Sequence, residues 1–481
     1  MFLGIDIGTS GVKAVVLDAA GNVVGQGTAP LSVQRPRPLW SEQDPDAWWQ
    51  ATTDAVRAID PAVRRSVRGI GLAGQMHGAT LLDADDRPLR PAILWNDGRC
   101  AAECAALEAA VPDLRALTGN IAMPGFTAPK LLWVRAQEPA IFARIATVLL
   151  PKDYVRLLMT GDKASDLSDS AGTLWLDVAA RGWSDTLLAA CGLTRAQMPT
   201  LFEGSQVTGT LTAAVAELWG MPRVPVAAGG GDNAAGAVGV GVVADGDALL
   251  SLGTSGVIFV ATRDFRPNPD RAVHAFCHAL PGLWHQMSVH LSAAACIDWV
   301  ARITGAEDAA ALFARAEAAG PASGPELFLP YLSGERTPHD DAEVRGAFLR
   351  LDNDTDAGRL AQAVLEGVAF ALADGLDVLR QAGTTIERLA VIGGGARSRY
   401  WGRVIAAAME VELVYLHGGE VGPALGAARL AQLAVDGGDL ATVCIAPPVA
   451  HRILPDPVLV AALADKKAAF REAYARITPR S

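Results

Sequence analysis

The pentapeptide Gly-Thr-Ser-Gly-Val occurs twice, at residues 8–12 and 253–257, half a chain apart in a protein of 481 residues. Each copy follows an apolar run (LGIDI, ALLSL) and precedes another (KAVVL, IFVAT). A strand–turn–strand unit that recurs in the same context at half the chain length points to two duplicated domains. The division falls near residue 245, giving residues 1–245 and 246–481. Each half then continues alike. Strand signals alternate with helical ones, which predicts an α/β fold in both.

Punctuation residues set the elements. Phe2 to Val24 reads as an antiparallel meander with Gly-rich turns. Asp44-Pro45 starts a helix, Asp at the N-cap and Pro at the first turn, with Trp48, Trp49, Ala55, Val56 and Ile59 on its apolar face. Residues 67–72 form a strand that runs into the turn Gly74–Gly78. Residues 100–220 are rich in helix formers and read as a cap inserted on the core. A short strand at 224–228 enters Gly229-Gly230-Gly231-Asp232-Asn233 and an Ala/Gly helix. In the second half a long helix spans about 355–382. A strand at 388–392 enters Gly393-Gly394-Gly395, and a last helix begins at Asp456-Pro457.

With 51% apolar and 19% charged residues, the chain has the material for large cores. A net charge of −11 without a basic run argues against nucleic acid or an anionic membrane as partner. The six cysteines include no C-x-x-C pair and read as free thiols in a reducing compartment. The chain opens directly on a strand with no basic leader, and its long uncharged run at 272–297 carries four histidines and a proline. The expectation is a cytoplasmic protein without a membrane segment; a homodimer is compatible with these features.

Three glycine turns after strands carry the chemistry. The two Gly-Thr-Ser turns suit phosphate clamps, since glycine admits the backbone and hydroxyls add donors. Gly393–Gly395 would pass under an adenine or ribose without Cβ clashes. No Walker sequence is present, and Gly229-x-Gly231-x-x-Ala234 is an incomplete dinucleotide fingerprint with Asp232 where a pyrophosphate would lie. Asp232 is either an ordinary helix cap or a general base. Asp6 either caps the first turn or holds Mg²⁺ through water. Lys13 is either a phosphate partner or a solvated strand lysine. His77, between Gly74 and Gly78, faces a ligand or staples the turn; with Gln75 and the run 95–99 it offers polar groups and an aromatic face suited to a sugar. His274-x-x-Cys277-His278 lacks a second ligand pair at zinc spacing and reads as ordinary buried side chains.

These stretches resemble the FGGY carbohydrate kinases of the actin/hexokinase-like ATPase superfamily. The matching segments include GIDIGTSGVKAVVLD, GLAGQMHGATLLD, MPGFTAPKLLWV, VLLPKDYVRL, VAAGGGDNAAGAVGVG, LSLGTSGV, FLPYLSGERTPH, VIGGGARSRYW and GPALGAARLA, spanning residue 2 to about 431. The resemblance implies two ribonuclease-H-like domains around a nucleotide and sugar cleft. It implies ATP and Mg²⁺ as the needed cofactors and a small-molecule sugar as substrate. D-xylulose, phosphorylated on its 5-hydroxyl, is the expected sugar, with another pentulose or a polyol left open. Residue by residue, Asp232 matches the catalytic base beside Asn233, and Met76 and His77 match the sugar-contact pair. Gly8, Thr9, Ser10, Gly253 and Thr254 match the phosphate motifs, Gly394 and Gly395 the adenosine motif, and Asp6 the acid near the metal. An actin-like ATPase and a sugar-binding regulator without catalysis are the alternatives from other classes.

Overall fold

The computed structural model describes residues 1–417 and 422–477. Two sheets of the same design dominate it. In the first, Phe2–Ile7 lies between Gly11–Leu17, antiparallel, and Gly69–Gly74, parallel; Val23–Pro30 extends one side, and Pro225–Ala227 then Val207–Thr210 extend the other. In the second, Ala248–Leu252 takes the central place between Gly256–Thr262, antiparallel, and Arg388–Ile392, parallel. Trp284–His290 and His274–Cys277 extend one side, Glu412–Leu416 and Val449–Ile453 the other. The two Gly-Thr-Ser turns are the matching hairpins of the two sheets. Asp6 and Ser251 occupy equivalent positions, opposite Lys13 and Val257.

The predicted elements form where their punctuation places them. Asp44 caps the helix Pro45–Arg57 by accepting from the Asp46 N–H, and Trp48 and Val56 are fully buried beneath it. Asp356 caps the 25-residue helix Ala357–Gln381, whose length lets it run the full width of the second core. The first strand after that helix, Arg388–Ile392, has the bounds read from sequence; the strand expected at 67–72 is shifted to Gly69–Gly74. Among the described residues no helix is long and apolar enough to cross a membrane.

Two features join the halves. Helices Asp232–Gly239 and Gly422–Asp436 leave equivalent strands and pack against each other. Their approach is so close that a Cβ on Gly426 would lie 1.7 Å from the Ala235 carbonyl oxygen, so only glycine fits there. The helix Gly422–Asp436 also lies across the first sheet, over Phe2–Ile7 and Gly69–Gly74. The stretch 100–220, expected as a cap, is one only in part: Val207–Thr210 joins the first sheet and Ala213–Trp219 packs in its core, while other segments of it rest on the edge of the second sheet. Asn120 Nδ2 donates to the Ala275 carbonyl at 3.0 Å, and Trp284 Nε1 to that of Val178 at 2.9 Å.

Candidate active site

The parallel strands deliver their ends to one crevice, as open α/β sheets do. Ala73 is flanked by Asp6 on one side and Gly230 on the other, and Gly74 by Ile7 and Gly231. Asp232 is therefore the first residue past the sheet edge, two rows beyond Asp6.

Asp232 opens the helix Asp232–Gly239, but it is not the cap. Gly231 holds the N-cap position, and no side chain caps that helix. The Asp232 carboxylate instead accepts from the Asn233 backbone N–H at 2.7 Å and from Asn233 Nδ2 at 3.0 Å. Burial pushes its pKa up to about 6, with the two Asn233 bonds pulling the other way. Asp6 is pushed up to about 7 by burial and then by the Asp232 charge, with Lys13 across the strand pair opposing. Asp6 Oδ1 is enclosed and has no hydrogen-bond partner among the described residues. An enclosed, unsatisfied carboxylate oxygen facing a second carboxylate has the donor chemistry of a cation site.

The Gly8–Thr9 turn is held from behind. Thr9 Oγ1 donates to Gln75 Oε1 (3.1 Å) and accepts from Trp95 Nε1 (2.9 Å). Gln43 Nε2 donates to the Thr9 carbonyl at 2.7 Å, while its Oε1 accepts from Gln75 and from Trp48. Gln75 thus serves the first turn rather than a sugar. The second turn is built differently. The Ala293, Ala294 and Ala295 N–H groups at a helix start donate to the Gly253 and Thr254 carbonyls. Thr254 is exposed and its hydroxyl is uncommitted among the described residues. Ser10 is exposed at its turn. After strand Arg388–Ile392, Gly393 (φ 93°) turns the chain, and a Cβ on Gly394 would meet nothing within 4 Å, leaving an open floor beside Gly395.

Met76 and His77 stand on the other side of Asp232. Met76 is buried with its thioether under Gly231, where a Cβ would come within 2.9 Å of the sulfur. His77 adopts φ 69°, the left-handed region, which turns its ring toward Gly172. His77 Nδ1 donates to the Gly172 carbonyl at 2.6 Å. Burial, then the Lys130 ammonium, lower its pKa to about 3; the Gly172 bond opposes and the Arg336 guanidinium adds to the fall. The ring is thus neutral with Nε2 left as an acceptor. Lys130 Nζ donates to the His77 carbonyl at 2.8 Å and to that of Gly125 at 2.7 Å, fixing the turn. Both halves supply ring neighbours that sequence reasoning did not assign to a site. Phe126 is edge-on to both His77 and His274, and Phe276 stacks on His274. The zinc-like cluster is otherwise occupied: His274 bonds Asn120 and Arg336, the Cys277 thiol donates to the Val178 carbonyl, and His278 Nδ1 accepts from Leu280.

Beneath the Asp232 turn lies a buried ionic cluster. Lys152 Nζ contacts Asp153 and Asp166 at 2.7 Å and Asp169 at 3.0 Å, all fully enclosed. Arg156 donates to the Ala227 and Ala228 carbonyls, and Ser168 Oγ accepts from the Gly231 N–H at 3.1 Å. Burial raises Asp169 well above the usual carboxylate range, with the Lys152 ammonium opposing. The cluster clamps the strand before Asp232 from below. The sequence carried one signal of it, charged residues in an otherwise apolar run at 151–156.

A model of the FGGY family of carbohydrate kinases, N-terminal domain, matches residues 1–239, and one of its C-terminal domain matches residues 248–435. The chain is 56% identical to a xylulose kinase of Escherichia coli, over all of this chain and 99% of that protein. It is 36% identical to a xylulose kinase of Bacillus subtilis over 89% of this chain and 87% of the relative. A crystal structure described as a xyloylose kinase from Brucella ovis superimposes with a TM-score of 0.96, at 52% identity over 99% of both chains. A xylulose kinase from Rhodospirillum rubrum gives 0.92 at 30% identity over 99% of this chain and 98% of that one. With both domains matched and the two-sheet architecture shared from end to end, this chain belongs to the FGGY family of carbohydrate kinases.

Proposed function

We propose that the protein transfers the γ-phosphoryl group of ATP to the 5-hydroxyl of D-xylulose, with Asp232 as general base. The observation that carries the reading is the Asp232 carboxylate. It is released from capping, oriented by Asn233, and has a pKa near 6. A base with that pKa is ionised at neutral pH yet still accepts a proton as the attacking oxygen loses it, a contribution of about 10²–10⁴-fold. The xylulose kinase relatives at 56% and 36% identity support the choice of sugar.

In this reading the 5-hydroxyl lies against Asp232 and attacks in line, while Asn233, Met76 and His77 hold the carbon chain. Gly8, Thr9, Ser10 and Lys13 on one side, and Gly253 and Thr254 on the other, hold the phosphates. Gly394 and Gly395 underlie the adenosine. Phosphoryl transfer asks mainly for positioning and charge stabilisation, which a rigid turn and its hydroxyls supply. Mg²⁺ fits at Asp6, whose Oδ1 lacks any other partner among the described residues, and would supply neutralisation of phosphate charge. The six cysteines are all free and buried, which suits a reducing cytoplasm.

The test is ADP release measured with a panel of pentuloses, pentoses and polyols. D-xylulose giving the highest kcat/KM supports the reading. A different sugar in that place reassigns the substrate, and ADP release independent of any sugar removes the kinase reading in favour of an ATPase.

A further inference from the structure

The Arg336 guanidinium, carried by the second half, bonds His274, which shares with His77 the Phe126 ring that both meet edge-on, so its charge reaches the His77 imidazole across the two halves. Among the described residues it enters no salt bridge, and its one side-chain bond is from Nη1 to His274 Nε2 at 3.1 Å. Its chain neighbour Glu335 is spent elsewhere, accepting from the Leu291 and Arg336 backbone N–H groups. Most of its five donors are not used within the protein, and no unpaired Arg336 nitrogen is sealed away from access, so they are available to a ligand.

The surroundings hold Arg336 in place. His274 accepts from it through Nε2 and therefore donates through Nδ1 to Asn120 Oδ1 at 2.8 Å. Thr337, next in the chain, is locked to the second sheet through the Ala272 carbonyl and the Val289 N–H. Arg336 thus presents fixed donors, and His77 Nε2 presents a fixed acceptor, because Nδ1 is committed to Gly172. A hydroxyl is the group that satisfies both, donating to the imidazole and accepting from the guanidinium. A carbonyl would satisfy only the second.

We propose that Arg336 is a substrate-contacting residue, and that Arg336 and His77 together grip one hydroxyl of the sugar chain remote from the oxygen that faces Asp232. Each half of the molecule then contributes one side of the sugar site. The inference rests on the reading that His77 faces the sugar.

The experiment is steady-state kinetics of wild type, Arg336→Gln, Arg336→Lys, Asn120→Ala and His77→Ala. D-xylulose and its single-deoxy analogues serve as substrates, with Tm measured alongside. Arg336→Gln is expected to raise KM for D-xylulose by about 10- to 100-fold, the worth of a charge-assisted bond. KM for ATP should stay within about twofold. Arg336→Lys should recover part of the loss. One deoxy analogue should be nearly insensitive to both Arg336→Gln and His77→Ala, since it lacks the gripped hydroxyl. If Arg336 only braces His274, Asn120→Ala will reproduce its effect, all analogues will suffer alike and Tm will fall; that result overturns the proposal. An unchanged KM for D-xylulose in Arg336→Gln, with a raised one in His77→Ala, overturns it as well and leaves the sugar site standing. Unchanged sugar kinetics in both variants overturns the sugar site itself.

Discussion

Replacing Asp232 with Asn should remove activity and stabilise the protein, and the stabilisation should depend on pH. In the native state Asp232 holds its proton to about pH 6, whereas an unfolded aspartate releases it near 3.8. Between those values the native state binds more protons than the unfolded one, so its stability falls as pH rises. The shift is about two units, and at about 1.4 kcal/mol per unit the ionised carboxylate costs at most about 3 kcal/mol above pH 7. An asparagine keeps the size and an acceptor oxygen for Asn233, and it never ionises. Asp6 adds in the same direction, because part of its elevation comes from the Asp232 charge. The amide oxygen of the variant cannot take a proton from a hydroxyl, so turnover should fall by about 10²–10⁴-fold. Calorimetric scans of both proteins at pH 5 and pH 8 read the stability side. At about 2 °C per kcal/mol for a half-chain of this size, the variant should gain up to about 6 °C at pH 8 and about half of that at pH 5. A Tm difference that is the same at both pH values refutes the argument that burial has raised this carboxyl. Retention of more than about a tenth of wild-type turnover refutes its role as base.

In wild type, kcat/KM for the sugar should fall below about pH 6 as Asp232 takes up its proton, and a pH–rate profile flat to pH 5 would contradict this. Thr254→Val should weaken ATP kinetics with Tm unchanged, since its hydroxyl is uncommitted among the described residues. Thr9→Val should weaken them and lower Tm, because it also breaks the Gln75 and Trp95 bonds. Gly172→Ala would place a methyl 2.6 Å from the His77 ring, so KM for D-xylulose should rise, while KM for ATP stays within about twofold. EDTA should abolish activity and Mg²⁺ restore it, while an Asp6→Asn variant should need far more Mg²⁺ for half-maximal rate. Gly426→Ala should cost several degrees in Tm, as its methyl cannot share space with the Ala235 carbonyl.

Residues that punctuate the chain announced themselves in the sequence. Asp44-Pro45, Asp456-Pro457 and the three glycine turns carry local chemistry that fixes an element boundary, and the repeated Gly-Thr-Ser-Gly-Val carried the duplication. Long-range partnerships were not legible. Nothing local tells that Gln75 would hold Thr9, that Asn120 would reach His274, or that the charge of Arg336 would reach His77 from more than half a chain away. Asp232 shows the limit most clearly. From sequence a cap and a base were equally reasonable, and the placement of Gly231 at the N-cap, which only the structure shows, removes the cap.

The central claim is the transfer of a phosphoryl group to one particular oxygen, so the most direct measurement is the identity of the product. Phosphorus NMR coupled to proton detection on D-xylulose incubated with ATP, Mg²⁺ and enzyme should show a single phosphomonoester on carbon 5, formed in step with ADP and absent with the Asp232→Ala variant. Phosphate on another carbon, or inorganic phosphate appearing in place of a sugar ester, would contradict the account.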